Sequence, residues 1–263
     1  MIAFFVSLLS CFKKQEDEPE AAPPAPSAPR RVRRVLGEPL KETIRDGESE
    51  PFWLRYITET ISTQTIRGYI GLFRVPGNQR RITKIVDSFS KDGTILENDG
   101  SFTDADFCTS LKRLLRFLPE PLISRHIHDA LLDIAYDFSQ TSGNTVIFEK
   151  MTATLAKLAE AEKTTLEALI GFLRSVAGDA ETNLMTVENL GLVLGPTLMK
   201  LPEPMTTDPA ERIEYDLQKD VLEMILSSNW PEQESDSETE YYEASSYAST
   251  YATCSEGDSS LFF

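Results

Sequence analysis

Residues 103–123 read TDADFCTSLKRLLRFLPEPLI. Phe107, Leu111, Leu114, Leu115 and Leu118 fall at i, i+4, i+7, i+8 and i+11, the spacing of one apolar helix face. Thr103 or Asp104 stands where an N-cap is needed. Pro119 and Pro121 then forbid a continuing helix. With Phe107 at zero and about 100° per residue, the core side centres near about 20–30°, and Lys112 and Arg116 fall near about 140° and 180°. Two cations are therefore expected on the exposed face, one turn apart.

The same period recurs on either side. Leu54, Ile57 and Ile61 form one short stripe. Ile82, Ile85, Val86 and Phe89 form another behind Asn78, an N-cap candidate. Ile127, Leu131, Ile134 and Phe138 follow Ser124, and Leu166, Leu169, Ile170, Leu173 and Val176 follow Thr164 or Thr165 and end at Gly178. Ile213, Leu217, Val221 and Ile225 make the last stripe. No run alternates long enough to suggest a sheet. The expectation is an all-α domain of seven to nine helices with proline-containing connections, its apolar stripes serving as core.

Both ends of the chain depart from this pattern. Residues 15–30, QEDEPEAAPPAPSAPR, lack periodicity and cannot bury enough apolar surface to offset their ordering entropy. Residues 231–263 are rich in Ser, Glu, Tyr and Thr. The expected organisation is an apolar N-terminus and Pro/Ala/Glu-rich disordered linker with a basic cluster over 1–34, a globular domain over 35–230 and a disordered acidic tail over 231–263. Formal charge follows the same division. The chain carries 26 basic and 42 acidic residues, a net of −16. Residues 1–34 hold six basic and four acidic residues, 231–263 hold eight acidic and no basic ones, and the middle is left with −10. A pI near 4.6 argues against a nucleic-acid partner, whose phosphates demand a basic surface.

Cys11, Cys108 and Cys254 are odd in number and far apart, offering neither a disulfide framework nor metal-ligand spacing, which favours a reducing compartment. His126 and His128 lie two apart on a helical stretch and cannot share a face. No GxxxxGK[ST], G-x-S-x-G or H-E-x-x-H occurs, so no cofactor, no metal site and no nucleotide hydrolysis of its own are expected. MIAFFVSLLSCF at 1–12 is shorter than the roughly 20 apolar residues of a membrane span. Its basic residues come after the apolar run, unlike a signal peptide. A shallow membrane anchor, with lipidation at Cys11, is its functional reading, set against a stray terminus.

Three stretches do not read as generic helix. GLFRVPGN, 71–78, holds Arg74 between turn-formers just before a helix, on a loop rather than in a stripe. LKRLLRFLPEPL, 111–122, carries Lys112 and Arg116. In TVENLGLVLGPTLMK, 186–200, Thr186 can cap a short helix carrying Asn189, which the Gly195-Pro196 pair is expected to break.

These blocks resemble the Rho GTPase-activating (RhoGAP) domain family. The family's finger motif has the form G-[IL]-[FY]-R-x-x-G, matched by GLFRVPG. Its second block resembles L-K-x-x-L-R-x-L-P-x-P-L, matched by LKRLLRFLPEPL. The third resembles N-L-x-x-V-x-G-P-x-L, matched by NLGLVLGPTL. Three blocks in order across roughly 36–228 are far more specific than any one, and VLGEPLKETI at 35–44 also looks like the family's opening. Some positions depart: Phe117 stands where the family mostly has Glu, Leu194 replaces a common Phe, and LAEAEKTTL at 158–166 lacks an expected Pro and Asn.

The resemblance implies a multi-helix bundle whose partner is a GTP-bound Rho-family small GTPase. It implies that Arg74 is an arginine finger supplied in trans, with Lys112, Arg116 and Asn189 contacting the GTPase and Pro196 structural. GTP and Mg would belong to the partner, and the protein would be an activator rather than an enzyme. Such a finger neutralises charge developing on the transferred phosphoryl group and helps position the attacking water. The alternative from another class is a catalytically silent GTPase-binding or scaffolding module, since fold does not fix function. A third is a membrane-surface adaptor built on residues 1–34, whose arginines at 30–34 suit an anionic surface. The expected location is the cytoplasm, including the cytoplasmic face of a membrane. In the tail, Ser235, Ser237 and Thr239 alternate with acids in a kinase-substrate pattern, and Leu261-Phe262-Phe263 resembles a C-terminal ligand of a PDZ domain.

Overall fold

A computed structural model describes residues 35–61, 63–91, 100–140, 145–199 and 209–231. Expectations for residues 1–34 and 232–263 lie outside the described residues. Among the described residues ten α-helices follow one another: α1 (Phe52–Thr60), α2 (Thr63–Gly68), α3 (Gln79–Lys91), α4 (Asp104–Arg116), α5 (Arg125–Gln140), α6 (Thr145–Leu155), α7 (Glu160–Gly178), α8 (Ala180–Asn183), α9 (Val187–Met199) and α10 (Pro209–Ser227). Eight of them run nine residues or more; α2 and α8 are short pieces of six and four. Among the described residues there is no strand, only an isolated antiparallel bridge between Ile44 and Pro51.

The stripes named from sequence are the core. Leu54, Ile57, Ile82, Ile85, Phe89, Phe107, Leu111, Leu114, Leu166, Leu169, Ile170 and Leu173 are all buried. Each such side chain contributes about 1.5–3 kcal/mol relative to exposure. Helix α7 runs through the centre, packed against α1, α2, α8, α9 and α10, while α3 lies on α4, and α10 lies along α9 and α5. Thr103 and Asp106 form a reciprocal capping box at the start of α4. Asn78 caps α3 by accepting from the Arg80 and Arg81 amides at 3.0 and 3.3 Å. Cys108 is a buried free thiol within α4.

Three boundaries differ from the sequence expectation. Helix α7 starts at Glu160 rather than behind Thr164, because the hydroxyls of Thr164 and Thr165 turn back onto the carbonyls of Glu160 and Ala161 at 3.0 and 2.6 Å and cap nothing. Ile213, counted in the last stripe, is exposed on the first turns of α10, whose seated residues begin at Leu217 and Gln218. Finally, Gly195-Pro196 does not break α9, which continues to Met199. Proline at 196 removes the N–H that would bond the Leu192 carbonyl. Tyr215 of α10 supplies the replacement donor, its hydroxyl 3.0 Å from that oxygen. Gly195 is there for proximity: a Cβ would lie 2.6 Å from the Gln218 carbonyl oxygen of α10.

Candidate functional site

The loop that leads into α3 carries the most unusual backbone in the domain. Gly71 and Phe73 both take the left-handed conformation, with φ of 79° and 69°. For Phe73 this costs about 1–2 kcal/mol. Such strain persists only where the surroundings over-determine it. Here they do. The Phe73 ring is fully buried and meets Phe172 edge to face at 6.1 Å. The Gly71 amide donates to the Asn183 carbonyl at 2.8 Å, and the Arg74 and Val75 amides donate back to the Gly71 carbonyl at 2.9 Å. Phe73 is thus pinned inward while the next residue, Arg74, is turned out.

Arg74 is exposed. Among the described residues its guanidinium has no ion pair or hydrogen bond, and it rests over Gly71, whose Cβ would meet Nε and Nη2 at 3.3 Å. A permanently charged, bidentate donor is therefore held at the tip of a fixed loop with its bonding capacity unspent.

Lys112 differs from the expectation of an exposed cation. It is half-buried, and its ammonium donates to the carbonyl of Phe73. Burial pushes its pKa down, and the neighbouring Arg116 charge adds to that shift. The helical-wheel angle placed Lys112 correctly away from the core, but the finger loop covers that side of α4. Arg116, one turn further on, is exposed and has no bond to the loop.

Asn189 sits near the N-terminus of α9. Its amide N–H is bonded by the capping hydroxyl of Thr186 at 3.2 Å, as the sequence suggests. Its Nδ2 donates to the carbonyl of Leu184 at 3.0 Å, so part of its side chain serves its own fold, and among the described residues Oδ1 accepts no hydrogen bond. Leu184, with φ of 57°, follows Asn183. Arg74, Lys112 and Asn189 are therefore brought together around the same loop, through Phe73 on one side and the Asn183–Leu184 joint on the other.

Sequence reading missed the residues that make this arrangement. Asn183 is fully buried; Nδ2 donates to the carbonyls of Ile66 and Val176 at 2.8 Å, and Oδ1 accepts from the Met185 amide at 2.7 Å. Nothing in TNLMT marks it out. Asp106 is also fully buried, and the Thr-x-x-Asp capping signature does flag its helix start, though not its further bonds to the loop. Burial pushes the Asp106 carboxyl up, but bonds from Thr103, Arg81 and Asn78 outweigh this and hold it below the usual carboxylate range.

Several exposed apolar side chains stand next to these residues in the chain. Ile70 and Val75 flank the finger loop, Leu184 lies on the adjoining turn, Phe117 follows Arg116, and Leu192 stands one turn from Asn189. Exposed apolar groups around polar ones are what a protein-binding face displays. Among the described residues, no group of three or more His, Cys, Asp or Glu could hold a metal ion, and no helix is long and apolar enough to cross a membrane. Of the two histidines, His126 is exposed, whereas His128 is buried and accepts from Gln218 at 3.0 Å between α5 and α10, away from this face.

The family model of the RhoGAP domain matches residues 51–203. GEM-interacting protein of Mus musculus is 29% identical over 178 residues, covering 64% of this chain and 18% of the relative. Rho GTPase-activating protein 10 of Homo sapiens is 31% identical over 180 residues, covering 66% of this chain and 22% of the relative. The chain thus spans about a fifth of the length of these curated relatives. Among solved structures, human Rho GTPase activating protein 15 superposes with a TM-score of 0.65 at 24% identity, over 74% of this chain and 90% of that one. The BH domain from GRAF, the GTPase regulator associated with focal adhesion kinase, gives 0.57 at 24% identity, over 66% and 88%. At that identity the likeness speaks for the all-α fold.

Proposed function

The chain belongs to the RhoGAP domain family, and from that premise we propose that it stimulates GTP hydrolysis by a GTP-bound Rho-family small GTPase, in the cytoplasm, by inserting Arg74 into the partner's active site. The observation that carries this reading is an exposed guanidinium, without a hydrogen bond or ion pair among the described residues, on a loop braced from both ends. Nucleotide and magnesium come with the GTPase. Arg74 meets the charge that builds on the phosphoryl oxygens as the bond to the leaving group stretches, and in a site closed to water that interaction is strong. Because the loop is already folded, little ordering entropy is lost when it docks. Arg116, Oδ1 of Asn189 and the apolar rim give the GTPase surface its contacts, and Lys112 keeps the finger in register from behind.

Single-turnover phosphate release from GTP-loaded Rho and Rac proteins tests the reading. Arg74→Ala is expected to lower the stimulated rate by a factor on the order of 10³–10⁵. Its affinity for the GTPase should change far less. Unchanged stimulation in the variant, or none by the unaltered chain, overturns the proposal.

A further inference from the structure

Helix α4 presents a polar rail to the finger loop. Asp106, Thr109 and Lys112 stand at i, i+3 and i+6, on one side of the helix. Asp106 Oδ1 accepts from the Asn78 amide at 2.6 Å, Thr109 Oγ1 accepts from the Gly77 amide at 3.0 Å, and Lys112 donates to the Phe73 carbonyl. The other oxygen of Asp106 accepts from the Thr103 amide and hydroxyl, both at 2.8 Å, and from Arg81 Nε at 2.6 Å. One buried carboxylate thus joins the first turn of α4, the exit of the finger loop and the first turn of α3. The fit is close: a Cβ at Gly77 would lie 2.6 Å from both Cα and Oδ1 of Asp106.

We propose that Asp106, seconded by Thr109, is a positioning residue for Arg74, fixing the exit of the finger loop so that the guanidinium is presented at a set height above α4; this rests on the activator reading above. Arg74 lies four positions before Asn78, a reach of roughly 13 Å if extended, so an unfastened exit lets the finger wander. Displacement of even about 1 Å from a productive geometry can cost on the order of a hundredfold in rate. The carboxylate is needed rather than its amide, because all four groups facing it are donors and an Asn would turn an N–H toward one of them.

The test uses the full chain with Asp106→Asn, Thr109→Val and Thr109→Ser, read in two ways. In the free protein, hydrogen exchange at Gly77 and Asn78 should quicken about tenfold or more in Asp106→Asn and Thr109→Val, while amides of Leu222 and Ile225 in α10 stay within about twofold. Thr109→Ser, which keeps the acceptor, should exchange like the unaltered chain. With a GTP-loaded Rho protein in single turnover, the plateau rate should fall about tenfold in the first two variants and the half-saturating concentration should move less than about threefold. Exchange that rises uniformly through α10 would mark Asp106 as a general stabiliser and overturn the proposal, as would an undiminished plateau rate. If the unaltered chain stimulates no GTPase, the activator reading falls, and the exchange pattern alone decides whether Asp106 fixes the loop.

Discussion

The finger loop at 71–78 and the seam between α9 and α10 are held in opposite ways. In the loop, side chains of one helix reach to the backbone of another segment, and the residue that matters most is left pointing outward. In the seam, backbone lies on backbone. Gly195 lets α9 approach α10 so closely that no side-chain carbon fits between them, and a single hydroxyl from Tyr215 covers the carbonyl that Pro196 leaves bare. The loop can therefore lose a bond and keep the domain folded while losing its function. The seam can lose little before the fold gives way, yet its close contacts, Gly195 on Gln218 and Tyr215 on Leu192, do not involve the finger loop. Damage to one should appear in rate, damage to the other in stability.

The largest stability effect should come from Gly195→Val. Its Cβ would sit 2.6 Å from the Gln218 carbonyl oxygen, a backbone atom that cannot swing away. Helix propensity favours the change, but overpacking against backbone dominates, and a loss on the order of 3 kcal/mol or more is expected in urea unfolding. A variant as stable as the unaltered chain would show that the seam can open, and would break the contrast.

Next is Arg174→Met, on α7, whose side chain reaches the end of α10. The guanidinium donates to the carbonyls of Ile225 at 2.9 Å, Leu226 at 3.1 Å and Ser228 at 2.6 Å, closing a helix terminus where the Ser228 hydroxyl also reaches the Ile225 carbonyl, at 2.9 Å. Removing it should cost about 2 kcal/mol by the same measurement and leave the stimulated rate of the folded protein unchanged. Tyr215→Phe should be milder, about 0.5–1 kcal/mol, because Tyr215 is only partly buried and water can reach the Leu192 carbonyl in its place.

How much of this was legible beforehand divides along the same line. Period alone located the stripes of α1, α3, α4, α5, α7 and α10, since each buries one face against the rest. It did not locate α6, whose TVIFEKMTATL spreads apolar residues around the helix. The end of α9 was misread because the cost of Pro196 is met by a residue 19 positions further on, which no local rule can see. At the site, Arg74 stood out because turn-formers surround it. The α4 rail did not: polar residues at three-residue spacing look like a solvated helix face until another segment is laid across them. Asn183 is harder still, because its five partners, Ile66, Gly71, Val176, Asp179 and Met185, are scattered along the chain.

The smallest effect sharpens the comparison through acid. Asp106 is held below its ordinary value of 3.8, so the bonds it accepts contribute stability that is fully present above the unfolded value, near about 4, and is lost as the pH falls through the lower folded one. The seam carries the opposite sign. Burial raises Asp220 and Glu223 on α10 above their ordinary values of 3.8 and 4.5, only partly opposed by Lys219, so the folded state takes up their protons more readily than the unfolded one. Their contribution therefore grows as the pH drops toward those ordinary values. From pH 6 to about 4.5 the seam should hold or gain protection, and below about 4 the loop should loosen first. Hydrogen exchange, corrected for its intrinsic pH dependence, should show Gly77 and Asn78 opening at pH 3 while Leu222 and Ile225 remain closed. Because Asn at position 106 cannot titrate, Asp106→Asn should abolish this acid limb in the loop and leave that of the seam in place. Equal loosening of both regions, or an acid limb that survives the substitution, would mean that the carboxylate does not govern the loop.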